Sequence, residues 1–214
     1  ALVSAQLLQE NGMRRRTRYG FPSVLHEVHP FAWLFRRYHR MWHKGRPPMT
    51  GVVVEAPALH AVCLAATRET FARIGAFESG YRFGHEDVAY SWRAEKADIP
   101  RRILLDAHAF KIAPQLYGEL PLAVRYGMER SLYRLVRATR GTVYAAGFVL
   151  IRRAKSLVKW MIASVLNLLI FRCSRLLDLE ERFHRAVLFM PWHDGETLVI
   201  PPDIESHVRW EDFA

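Results

Sequence analysis

Gly84-His85-Glu86-Asp87 stands directly before a run, 88–96, with helical character, and this is the place in the 214-residue chain where side chains of the right type gather for proton-transfer chemistry. Two carboxylates arriving at a helix start meet unsatisfied backbone amides and the positive end of the helix dipole, which favour the ionised form. An ionised Asp87 can accept a proton, and the glycine-spaced, aromatic bend before it (Gly75, Phe77, Gly80, Tyr81, Phe83, Gly84) gives it a shaped approach. The alternative reading of an ED pair is structural: Asp87 caps the helix and Glu86 is solvated. The cysteines Cys63 and Cys173 lie 110 positions apart and form no CxxC pair, which excludes a disulfide framework and a cysteine zinc site and suits a reducing compartment.

The elements that must position these residues follow from local pattern. Residues 2–8 read as an apolar strand closed by the turn pair Asn11-Gly12. From residue 14 to 48 arginine, histidine and aromatic side chains interleave with Pro22, Pro30, Pro47 and Pro48, which prevent long regular elements. Two β-rich stretches follow, 52–54 and 59–66, the second apolar enough to be buried on both faces, which makes Cys63 a core residue. Thr67 as N-cap, Glu69 in the first turn and Gly75 at the C-terminal left-handed position predict a two-turn helix over 67–74. Residues 101–107 read as a further strand.

Taken in order, the segment from Ala61 to Lys111 resembles the C-terminal half of the catalytic domain of family 2 glycosyltransferases, inverting enzymes of the GT-A fold. An apolar strand with small residues leads to Arg68, a short helix, and Ile74-Gly75-Ala76-Phe77-Glu78, which is similar to the family's Gly-Gly-Phe-Asp-Glu turn; Gly84-His85-Glu86-Asp87 and Arg93 follow at the family's distances. With the strand before Asn11-Gly12, the match spans residues 1–140. The resemblance implies that Asp87 is the general base toward an acceptor hydroxyl, that Glu86, His85 and Gly84 shape the acceptor side, and that Arg93 binds substrate or, more readily, partners a carboxylate. Three departures stand out: Ala89 replaces an acid two residues after the pair, Glu78 replaces the turn aspartate, and Lys111 stands where the family often has a metal-binding histidine, His108 lying three residues earlier. A protonated lysine cannot join a Mg²⁺ or Mn²⁺ site, though its charge can stabilise a leaving diphosphate. The family's metal-binding Asp-x-Asp does not occur in these residues. Ala1 comes first and the first methionine is Met13, so the sequence is expected to be processed or cropped, the donor half lying upstream or on a partner chain. A divalent metal is the cofactor implied for the complete enzyme.

The expected fold is accordingly α/β: a partial GT-A mixed sheet with flanking helices over residues 1–118, a basic amphipathic helical region over 119–177, and an acidic tail over 178–214 with a short strand at 197–200. Charge follows this division. The net charge is +10, but residues 1–177 hold 28 basic and 12 acidic side chains against 3 and 9 beyond. Residues 121–140 read as a surface helix with a cationic stripe of Arg125, Arg130, Arg134 and Arg137. The uncharged stretches 142–151 and 160–171 are each too short for the roughly 20 residues a spanning helix needs. Leu150, Ala154, Leu157, Met161, Val165 and Leu168 form one apolar stripe, with Arg152, Lys155 and Lys159 on another side, a pattern for a helix lying in an anionic membrane surface or packing on the protein's own sheet.

The reading that results is an inverting transferase at the cytoplasmic face of the inner membrane, moving a sugar from a nucleotide-sugar donor to a glycan or lipid-linked acceptor. The first rival is a non-catalytic membrane-associated module that retains the fold. The second, a nucleic-acid-binding protein, rests only on charge and the aromatic loop, and nucleic acid is not expected as a partner.

Overall fold

The structure, a computed structural model, describes residues 1–8, 21, 53–81, 83–110, 121–170, 174–190 and 192. The described chain is mixed α/β, with one four-stranded mixed sheet and five α-helices. It divides into two compact units: Ala1–Ser79 with His85–Pro114, and Gly80–Gly84 with Gln115–Ala214.

The first unit is built on strands β1 (Leu2–Leu8), β2 (Val53–Glu55), β3 (Leu64–Ala66) and β4 (Arg101–Phe110), in the order β2-β4-β1-β3. β1 and β4 run parallel at the centre, and the edge strands β2 and β3 are antiparallel to them. The register shifts between Ala5 and Gln6: Ala5 faces Leu104, but Gln6 faces His108. Helix α1 (Arg68–Ile74) begins where Thr67 Oγ1 accepts the Thr70 N–H at 3.2 Å and ends at Gly75, whose φ of +84° suits glycine. Helix α2 (Glu86–Lys96) packs Tyr90 and Ala94 onto a core that includes Leu2, Leu59, Ile74 and Ile103. Leu2, Leu59 and Ile103 are at most 1% exposed, and burying each contributes roughly 1.5–3 kcal/mol.

Here the sequence expectations need two corrections. Residues 59–66 are not a continuous buried strand. His60 opens a 3₁₀ turn over Ala61–Cys63, and only Leu64–Ala66 extends, as an edge strand against β1. Cys63 is therefore part-exposed and not in the core. The strand expected over 101–107 runs on to Phe110. The turn at 11–12 and, apart from Phe21, the aromatic loop at 14–48 lie outside the described residues. Phe21 meets the Trp92 ring edge-on at 5.0 Å.

The second unit is helical: α3 (Leu122–Arg140), α4 (Thr142–Leu169) and α5 (Arg175–Phe189). Its core joins Leu122, Ala123 and Tyr126 to Phe183, Val187 and Met190. α3 is not a surface helix. Arg125 is 4% exposed, paired with Glu180 at 2.7 Å and seated over the Phe183 ring, so part of the expected cationic stripe is spent inside the bundle. The two uncharged stretches are one 28-residue helix, because arginine and lysine are good helix formers and the cations between them interrupt nothing. The chain from 175 to 189, assigned in part to the tail, is helical: Ser174 Oγ caps it by accepting the Leu177 N–H, and α5 runs through the expected boundary at 178. The strand expected at 197–200 lies outside the described residues.

Candidate functional site

Gly84 and His85 both lie in the left-handed region, with φ of +72° and +68°. Glycine holds that conformation freely, whereas for a histidine it costs roughly 1 kcal/mol, a local strain that turns the chain abruptly into α2. His85 is the N-cap residue by backbone position, but its side chain does not cap the helix. The first turn carries the charges instead, with Glu86 and Asp87 at the positive end of the dipole.

Asp87 is 8% exposed and its carboxylate is gripped. Oδ1 accepts the Val88 N–H at 2.8 Å, and Oδ2 accepts the Ala61 N–H at 3.3 Å. His60 Nδ1 stands 3.4 Å from Oδ2 and also 3.4 Å from the Val62 nitrogen. One nitrogen cannot donate to the carboxylate and accept from the amide at once. The hydrogen bond there runs from the Val62 N–H to Nδ1, which therefore accepts, and the contact with Asp87 Oδ2 is an ion pair only in the protonated imidazole. One helical turn on, Ser91 Oγ accepts the Leu59 N–H at 3.0 Å. Asp87 and Ser91, four residues apart on one face of α2, thus hold alternate amides of the segment 59–61.

A carboxylate offers about four lone-pair positions. Two backbone amides take two of them, one on each oxygen, leaving one on Oδ1 and one on Oδ2 beside His60. Glu86 differs from its neighbour. Burial pushes its carboxyl up and the adjacent Asp87 charge adds to this, against a backbone hydrogen bond that pulls it down; the net direction is up. Its Oε2 is buried with no hydrogen-bond partner among the described residues.

Arg93 faces away from this pair. Its Nη2 donates to Ala76 O at 2.6 Å, its Nε lies 3.7 Å from Glu78 Oε1, and its guanidinium covers the Tyr90 ring, which stacks on Phe77 at 4.3 Å. That makes it the latch of the 75–78 turn, with Glu78 as its carboxylate partner. His108 is exposed on β4, opposite Gln6. Lys111 lies outside the described residues. Among the described residues no group of three or more His, Cys, Asp or Glu side chains is placed to hold a metal ion, so His108 has no partners there with which to form a divalent-cation site.

His60 and Ser91 were not singled out in the sequence. The signal available for Ser91 was its i+4 spacing from Asp87. His60 carries no local signal, since its pairing with Asp87 spans 27 positions.

In the second unit a shallow groove of about 220 Å³ runs between α4 and α5, lined by Lys159, Ile162, Ala163, Leu166, Leu177, Glu180 and His184. Burial, reinforced by the Lys159, Arg125 and Arg152 charges and opposed by Glu180, pushes His184 down to about 4. Burial raises Glu180, but the hydrogen bond and charge of Arg125, with His184 and Lys159, outweigh it and hold the carboxyl below its ordinary range.

Comparison of the chain with protein-family models, curated proteins and solved structures found no match.

Proposed function

We propose that this chain is the acceptor-side half of a family 2-like, GT-A inverting glycosyltransferase, with Asp87 as the general base. The observation that carries the reading is the fixed Asp87 carboxylate at the head of α2: two backbone amides, one on each oxygen, set its orientation, a lone pair on Oδ1 remains, and the strained Gly84-His85 corner delivers it. A sheet with a central parallel pair and antiparallel edges is compatible with the GT-A assignment.

In the proposed reaction an acceptor hydroxyl oxygen forms a bond to the anomeric carbon while its proton moves to Asp87. The bond from that carbon to the diphosphate oxygen breaks on the opposite face, its electron pair leaves with the nucleoside diphosphate, and the configuration inverts. Asp87 then returns its proton to solvent. A positioned base of this kind contributes typically 10²–10⁴-fold to rate. His60 Nδ1 flanks the carboxylate, 3.4 Å from Oδ2.

The test has two parts. Coding sequence upstream of Ala1, or in a neighbouring frame, is read for an Asp-x-Asp after an apolar strand. The polypeptide carrying both halves is then assayed for nucleoside diphosphate release from a panel of nucleotide sugars with membrane extract as acceptor. Release that depends on acceptor supports the reading, and its absence across the panel refutes it.

One observation favours the non-catalytic alternative. Asp87 is nearly buried, and the Ala61 N–H bond that helps orient it also ties segment 59–61 to α2, a purely structural duty. Under that reading replacement of Asp87 lowers stability and changes nothing else.

A further inference from the structure

The rotation of α4 is inverted relative to an ordinary surface helix. Of its fifteen exposed positions, thirteen are Ala, Gly, Val, Leu, Ile or Met, the others being Thr142 and Lys159. Val143 is 90% exposed, Leu150 70% and Leu168 75%, and the apolar face they mark runs from Val143 to Leu169, about 39 Å at 1.5 Å per residue. A soluble monomer's largest apolar patch is normally a few hundred Å² and is often functional.

Polar groups hold this orientation in place from the inward side. Arg152 pairs with Glu129, which is 6% exposed. Arg153 Nη2 donates to Met190 O at 2.9 Å, and Asn167 Nδ2, on a residue 2% exposed, donates to Glu181 Oε2 at 2.8 Å. Turning the helix to bury its apolar face would strip these partners and leave the Glu129 carboxylate buried without its guanidinium.

We propose that this face of α4 is a docking surface for an anionic lipid bilayer. The helix lies in the plane of the headgroups, its apolar side chains entering the boundary between headgroups and acyl chains by about 5–10 Å. Charge selects this occupant. Helix α4 itself carries Arg152, Arg153, Lys155 and Lys159 and no acidic residue, a formal balance of +4 on the helix that bears the apolar face, with Arg152 paired to Glu129. A second copy docking there would set like charge against like, whereas an anionic surface is drawn to it. The proposal is independent of the glycosyl-transfer chemistry.

The test is flotation of the 214-residue chain with vesicles of phosphatidylcholine alone and of phosphatidylcholine with phosphatidylglycerol, at low and high salt, beside the triple variant Leu150→Glu, Val158→Glu, Val165→Glu. The wild-type chain is expected to float with the anionic vesicles and to lose recovery as salt rises, and the triple variant, with an unchanged circular dichroism spectrum, to bind at least about tenfold more weakly because three charges enter the apolar face. Equal recovery with both vesicle types, recovery with neither, or undiminished binding by the triple variant would overturn the proposal. So would a wild-type dimer in sedimentation that the variant makes monomeric without any vesicle binding. The wild-type lipid and salt comparison needs no substitution, so a variant that fails to fold leaves the proposal open to refutation.

Discussion

Asp87 and His184 show how differently a buried ionisable group can be treated. Asp87 accepts two backbone amides, one on each carboxylate oxygen, so its burial is compensated bond by bond. Among the described residues His184 is compensated by Glu180 at 3.3 Å, and burial with three neighbouring cations, Lys159, Arg125 and Arg152, drives it to about 4. An ordinary histidine titrates near 6.5. Between pH 6.5 and 4 the unfolded chain therefore binds a proton that the folded chain refuses. Stability is full above about 6.5 and declines as pH falls to about 4, by at most about 3 kcal/mol for this group. Glu180, held low by Arg125, adds a loss on the same acid side as it protonates. Denaturant unfolding across this range is expected to show the decline in the wild-type chain and a flatter profile in His184→Asn. The ED pair was legible in the sequence because helix-start chemistry is local. Its partner His60 was not, because a contact across 27 positions leaves no periodicity.

At the level of elements, α3 accepts the aromatic bend at one point without a side chain. A Cβ at Gly127 would stand 2.3 Å from the Phe83 ring. Alanine gains about 0.5–1 kcal/mol of helix stability over glycine, but overpacking against a ring costs about 1–3 kcal/mol, so Gly127→Ala is expected to destabilise, read as a lower unfolding midpoint. Arg152→Ala leaves the Glu129 carboxylate buried and unpaired and is expected to cost about 3–5 kcal/mol in the same measurement. Helices α1 and α2 were legible from Thr67, Gly75 and the charges of the first turns. The stripe of α4 from Leu150 to Leu168 was legible from its spacing, but the extension of the helix back to Thr142 was not, because that start carries no acidic first-turn residue and no capping side chain. The 3₁₀ turn at Ala61–Cys63 was hidden too, since an apolar run has the same composition in a buried strand as in a turn anchored by Asp87.

For the whole molecule, the two units pose separate questions. One holds an oriented carboxylate and the other an outward apolar face among cations, and neither depends on the other for its test. Charge asymmetry and the apolar stripe were legible from composition and spacing. Which side of α4 faces solvent was not, because that is decided by Glu129, Met190 and Glu181, elements apart in sequence. The central claim is that Asp87 takes a proton from an acceptor. Its most direct test is Asp87→Asn in the polypeptide that carries both halves, with transfer rate and unfolding midpoint measured on the same preparation. The amide keeps the size and part of the hydrogen bonding but not the basicity, so the account predicts a rate lower by about 10²–10⁴-fold in a variant that remains folded. Transfer at the wild-type rate in that folded variant would contradict it.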